Sequence, residues 1–213
     1  ILCAMRHLPP SETLRAARLA LAWRDRGVVG FDLAGAEFGH PPADHADALA
    51  LVRDAGLALT LHAGEADAAP RVIEAARLGA TRIGHGVRLA DALADPAQRP
   101  LVDEALQRGI HLEICPSSNV HTGAAASIAA HPVTALWQAG LSVGINTDNR
   151  LMSRTSLSHE LTLLRQHTAL TADDLARMQL EAARHSFLPA ADRERAAAAV
   201  QTWRDAQPIT RIE

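Results

Sequence analysis

Lysine is absent from this 213-residue chain, so all 21 of its basic residues are arginine. That bias reads as the codon usage of a GC-rich genome and not as chemistry. An excess of positive charge is missing too, since 24 acidic residues leave a net charge of −3. Such a surface argues against a nucleic-acid backbone or an anionic membrane as the principal partner. No apolar run approaches the roughly 18 residues of a membrane span. The opening, Ile1-Leu2-Cys3-Ala4-Met5, is too short for a signal peptide and lacks its basic front. Cysteine is scarce: Cys3 and Cys115 stand alone, both in strand-like runs. They predict buried free thiols in a reducing cytoplasm, not a disulfide. No polar linker divides the chain, and a single domain over 1–213 is expected.

What is present is 48% hydrophobic and 21% charged, enough apolar material for a substantial core. Short apolar runs alternate with amphipathic stretches, the pattern of βα units on a parallel sheet. Strands are predicted over 1–5, 28–34, 57–62, 81–85, 110–115 and 141–147. Helices are predicted over 14–26 behind a Ser11-Glu12-Thr13 cap, over 43–54, over 71–78 behind Pro70, and over 101–108 and 132–137. Gly109 and Gly140 suit helix ends. Beyond Asp148 only helices follow, over 157–165, 172–184 with a capped start at Thr171, and 190–205. Extra C-terminal helices over about 155–206 are therefore expected. A closed barrel of this kind needs eight strands. The reading is an α/β fold, an incomplete (β/α)8 TIM-type barrel with about six strands. The chain starts with Ile inside a strand, so the missing strands are expected to precede it. An open doubly wound sheet competes, but no Gly-rich phosphate turn follows the first strands.

Residues able to do chemistry gather at the carboxyl ends of these strands, the face on which such barrels build catalysis. Thr60-Leu-His62-Ala-Gly-Glu65 places a metal ligand and a proton donor three residues apart as the chain turns over. Asp32, His85, Glu113 and Asp148 stand at other strand ends. Neutral imidazole and carboxylate suit Zn²⁺, and catalytic zinc keeps a position open for water. His62 and Asp148 are the candidate ligands, fewer than the usual three, and the rest are expected from the absent strands. Glu65 suits a general acid that protonates substrate while hydroxide attacks. His85 is expected to face the pocket, turned there by Gly84 and Gly86, with Glu113 hydrogen-bonded to its ring. Gly35 lets a ligand come close to its N–H. Asp148-Asn149 reads equally well as an Asx cap on the following helix. Glu37, His40 and His45 are assigned to a polar loop, and the remaining histidines, His111 and His131 among them, to surface or packing. Cys115-Pro116-Ser117-Ser118 lacks the second Cys of a Pro-Cys-x-x-Cys motif, which argues against a cytidine-type zinc site.

Taken in order, Asp32-Leu-Ala-Gly-x-Glu37, His62-Ala-Gly-Glu65, Arg82-Ile-Gly-His-Gly86, Glu113-Ile-Cys-Pro-x-Ser-Asn119 and Asn146-Thr-Asp148 resemble the motif set of adenosine deaminases. The resemblance runs from Cys3-Ala-Met-Arg-His7 to Ser186-Phe187-Leu188. It implies a zinc-dependent barrel enzyme of purine metabolism that converts adenosine and deoxyadenosine to inosine and deoxyinosine. It further implies His62 and Asp148 as zinc ligands, Glu65 as proton donor to the purine ring and His85 as stabiliser of the attacking hydroxide. The Gly35 N–H would bind a purine ring nitrogen. Two departures stand out. The family's His-x-His pair of ligands has no counterpart, and Asn149 stands where the family usually has an Asp that hydrogen-bonds the five-membered ring. An amide donates at any pH, whereas a carboxyl must first be protonated. That leaves room for another aminopurine or a modified adenosine. The competing class is a metal-free relative that binds a nucleoside or a protein partner without catalysis. Glu65, His85 and Asp148 together favour the enzyme, because binding alone needs no proton donor beside a metal ligand.

Overall fold

The computed structural model describes residues 1–206. Along the chain run β1 (Leu2–Met5), α1 (Pro10–Ala22), β2 (Gly30–Ala34), α2 (Ala46–Asp54), β3 (Ala58–Ala63), α3 (Pro70–Arg77) and β4 (Arg82–His85). Then come α4 (Leu89–Ala94), α5 (Arg99–Arg108), β5 (His111–Ile114), α6 (Pro116–His121), α7 (Val133–Gln138) and β6 (Ser142–Ile145). Four helices close the described chain: α8 (Arg150–Ser153), α9 (Leu157–His167), α10 (Ala172–Arg184) and α11 (Ala190–Asp205). The strands form one parallel sheet in the order β1-β2-β3-β4-β5-β6. This is the incomplete barrel expected from the sequence: among the described residues the outer edges of β1 and β6 carry no strand partner.

Successive side chains in a strand point to opposite faces, and the register sorts them sharply. Phe31, Leu33, Leu59, Leu61, Ile83, Leu112, Ile114, Val143 and Ile145 form the helix-facing layer and are almost wholly buried. Each such side chain contributes roughly 1.5–3 kcal/mol by leaving water. The opposite, inner face is polar. Thr60, Arg82, His111 and Ser142 lie in one row across four strands, and His62, Gly84, Glu113 and Gly144 in a row nearer the strand ends. Strands covered on both sides usually read as continuous apolar runs; here the inner positions of β3, β4 and β5 instead carry Thr60, His62, Arg82, His111 and Glu113.

The amino ends of the strands are closed by the segment after α10. The Arg82 guanidinium lies over the Phe187 ring at 4.3 Å, and His111 stacks on His185 at 4.6 Å. Gly30 leaves the space this needs, since a Cβ there would sit 2.7 Å from Phe187. The opposite end stays open for chemistry. No helix among the described residues is long and apolar enough to cross a membrane.

Local boundaries differ in instructive places. Helix α1 starts at Pro10 with no side-chain cap, not behind Ser11-Glu12-Thr13, because a proline in the first turn has no N–H that needs one. Cys3 is exposed on the edge strand β1, contrary to the expected burial, while Cys115 is buried; both thiols are free. Thr171 and Asp174 do form the expected reciprocal cap.

Candidate active site

His62, His85, Asp148 and Glu65 reach the open rim by three devices: strand alternation, a left-handed backbone and an anchored loop. Strand alternation alone delivers His62. Its row neighbour Gly84 is extended, and a Cβ on Gly84 would lie 3.1 Å from the His62 ring. Gly84 therefore makes room and does not turn the chain, which corrects the expected role. The turn belongs to His85 itself, at φ 67, and to Gly86, at φ 69. In register His85 pairs beside Ala63 of the helix-facing layer; its left-handed backbone swings the ring back to within 5.2 Å of His62, edge to face. Asp148, at φ 52, is turned the same way after β6.

Glu65 sits on the loop after β3, and that loop is held by a residue from another element. The buried Glu37 carboxylate accepts the backbone N–H groups of Gly64, Glu65, Ala66 and Asp67. Glu37 was assigned to a polar loop; it is instead the anchor of the proton-donor candidate. Arg6, also buried, donates to the carbonyls of Leu33 and His62 and ties the end of β1 to β2 and β3.

Within the cluster, His62 Nδ1 meets the Asp32 carboxylate at 3.0 and 3.1 Å. Glu65 Oε2 lies 3.5 Å from His85 Nε2. Asn119 Nδ2 is 3.0 Å from Glu65 Oε1 and 3.0 Å from His85 Nδ1. Thr122 donates to Glu65 Oε1 at 2.8 Å, and Ser118 to Asp148 at 2.6 Å. Burial alone would lower the His62 pKa, but the hydrogen bond to Asp32 and the charges of Asp32 and Asp148 outweigh it and raise the value. For His85 burial prevails and lowers the pKa, with Glu65 only partly opposing. Burial would push Asp148 up; the Ser118 hydroxyl and the charge of His85 hold it below its ordinary range.

Glu113 does not hold His85. Its carboxylate accepts from Thr60 at 2.5 Å and pairs closely with Arg82, deeper in the inner face. The reason is the row it occupies: flanked by two glycines, its side chain is free to reach the arginine, and Nδ1 of His85 is taken by Asn119. Gly35, at φ 96, stands against His7, whose Nδ1 would lie 2.8 Å from an added Cβ. Asn149 caps α8, its Oδ1 accepting from Leu151 and Met152 at 3.1 Å each.

Among the described residues no group of three or more His, Cys, Asp and Glu side chains is disposed to hold a metal ion. The chemistry of the partial set still suits one. Asp32 occupies Nδ1 of His62 and leaves Nε2 for a metal, the usual carboxylate support of a ligating imidazole. Asn119 and His131 are the residues that sequence reasoning passed over. Asn119 stood inside a quoted motif without a role, and nothing adjacent to His131 marks it.

A family model described as adenosine deaminase matches residues 1–203. An adenosine deaminase of Mycobacterium tuberculosis is 46% identical over 200 residues, covering 89% of this chain and 53% of that relative. The chain thus spans about half the length of the curated relatives it matches. Among solved structures, an adenine deaminase from Arthrobacter aurescens superposes with a TM-score of 0.86 at 26% identity, covering 96% of this chain and 61% of that one. An amidohydrolase from Burkholderia ambifaria with bound Zn gives 0.85 at 22% identity, over 95% and 56% of the two chains. Motif order, sheet topology and the match along nearly the whole described chain agree, and the chain belongs to the adenosine deaminase family.

Proposed function

We propose that this protein hydrolyses the exocyclic C–N bond of an aminopurine nucleoside, adenosine or deoxyadenosine, releasing ammonia and the corresponding inosine. The observation that carries the reading is the pairing of Glu65 with His85 at 3.5 Å, beside the Asp32-supported His62. Acid, imidazole and partial metal ligand set share one rim. His62 Nε2 and the Asp148 carboxylate would hold Zn²⁺, completed by ligands outside the described residues. When bound, zinc supplies a Lewis acid that makes water nucleophilic near neutral pH. Glu65 donates a proton to a purine ring nitrogen, which draws electrons from the carbon under attack. His85, with Nε2 3.5 Å from that carboxyl, would stabilise the attacking hydroxide. Ser118 fixes the Asp148 carboxylate, and Asp32 fixes the His62 ring. The Gly35 N–H and the Asn149 amide would recognise ring nitrogens. Free thiols and the lack of a membrane-crossing helix among the described residues support action on a small molecule in the cytoplasm.

The test is turnover and metal content in the intact protein. Glu65→Gln keeps shape and hydrogen bonding but carries no acid proton, so it should retain zinc and lose about 10²–10⁴-fold in kcat. A variant that keeps more than roughly a tenth of wild-type kcat would remove Glu65 from the chemistry.

A further inference from the structure

The geometry points to Asn119 and His131 as positioning residues: together they fix which nitrogen of His85 carries its proton and which oxygen of Glu65 is free to carry the acid proton. The inference rests on reading Glu65 as the proton donor.

One end of this hydrogen-bond chain has no choice of polarity. At that end, the Val133 backbone N–H can only donate, and it lies 3.1 Å from His131 Nδ1. His131 Nδ1 is therefore bare and its hydrogen sits on Nε2. That nitrogen faces Asn119 Oδ1 at 3.2 Å and donates to it. At the other end, the Glu65 carboxylate oxygen accepts from Asn119 Nδ2. Both ends assign the Asn119 amide the same way round, oxygen to His131 and nitrogen to the rim. Orientation of an amide is normally ambiguous by shape alone; here the His131 end settles it and the contact with Glu65 agrees.

The second hydrogen of the same Nδ2 points at His85 Nδ1, 3.0 Å away. That nitrogen must accept, so the His85 proton is placed on Nε2, the atom facing Glu65 Oε2. Glu65 Oε1 already receives Asn119 and Thr122. Oε1 has two donors and Oε2 only the His85 N–H, so the acid proton goes to Oε2, whose lone pair accepts from His85 while its hydrogen points away from that ring. One backbone amide thus sets a ring tautomer, then an amide orientation, then a second tautomer and the loaded oxygen of the acid. His85, Asn119 and His131 are all buried, so water does not compete for the bonds among these three. Burial, with a lesser contribution from His85, lowers the His131 pKa to about 4 and keeps its ring neutral.

The experiment is nitrogen NMR on intact holoprotein carrying ¹⁵N-labelled histidine, with kinetics alongside. Long-range proton–nitrogen correlations should show both His131 and His85 as Nε2–H tautomers. Asn119→Asp replaces the donor by a carboxylate and should switch His85 to the Nδ1–H form. In the same variant kcat should fall at least about tenfold with KM little changed. His131→Gln can still donate to Asn119 and should recover most of what His131→Leu loses in kcat. An Nδ1–H ring at His85 in the wild type, or a His85 tautomer unmoved by Asn119→Asp, would overturn the relay. Equal losses in the Gln and Leu variants would likewise reduce His131 to packing. Correct tautomers in a protein without deaminase turnover would leave the relay intact and refute the activity instead.

Discussion

Asn149 commits one end of its amide to the fold, since Oδ1 caps α8. If a purine binds as proposed, a ring nitrogen reaching Asn149 would meet only Nδ2, a donor at every pH. Replacing that ring nitrogen by C–H should weaken kcat/KM by the equivalent of about 1–3 kcal/mol, because the donor is left unpaired. Discrimination between adenosine and its 7-deaza analogue should vanish in Asn149→Leu, with zinc retained. Asn149→Asp should keep the cap and make kcat/KM fall as pH rises, because only a protonated carboxyl donates. Equal discrimination in wild type and Asn149→Leu would restrict Asn149 to its capping role. At this scale the sequence is legible in position: His62, Glu65 and His85 do gather at one rim, while their chemical roles belong to the proposal. The sequence is silent on Glu37 and His131, which reach the cluster across 27 and 12 positions of sequence through backbone amides and another side chain. Nothing local marks such reach. Glu113 was misassigned for a related reason: alternation gives the face of a strand residue, not the neighbour it chooses there.

The loop between β3 and α3 is an element built around one carboxylate. Four backbone N–H groups converge on Glu37, and hydrogen bonds to charged groups contribute more than neutral ones, about 1.5–3 kcal/mol each. Glu37→Gln offers a single oxygen and no charge. It should speed hydrogen exchange at amides 64–67, leave β4–β6 protected, and lower kcat by misplacing Glu65. Unchanged protection at those four amides would show that the loop stands without its anchor. Element order and type follow from periodicity for every strand and for the long helices. The short helices α4, α6 and α8 escape because six or fewer residues hold too few turns to display a period, whereas α7, equally short, is marked by Gly140 just beyond its end.

Across the whole molecule, the polar inner face ties stability to pH. Burial, then the charges of His185 and Arg82, lowers the His111 pKa to about 3, well below the roughly 6.5 of an unfolded chain. Between those values the unfolded state binds the extra proton, so stability is greatest above pH 6.5 and declines as pH falls toward 3. By pH 5 this residue should account for a loss of about 2 kcal/mol relative to pH 7.5. Urea unfolding of His111→Gln should show a correspondingly smaller drop over that interval; an identical drop would mean that the ring is protonated in the fold.

His85 and Asp148 are two of the three non-glycine residues in left-handed backbone among the described residues. Each conformation costs an L-residue roughly 1–2 kcal/mol, against a total folding free energy of about 5–15 kcal/mol for a domain. Glycine would relieve both at once. A lineage selected only for heat tolerance would therefore drift toward glycine at these two positions and lose its chemistry before it lost its shape. Endurance and reactivity in this rim compete for the same two backbone angles.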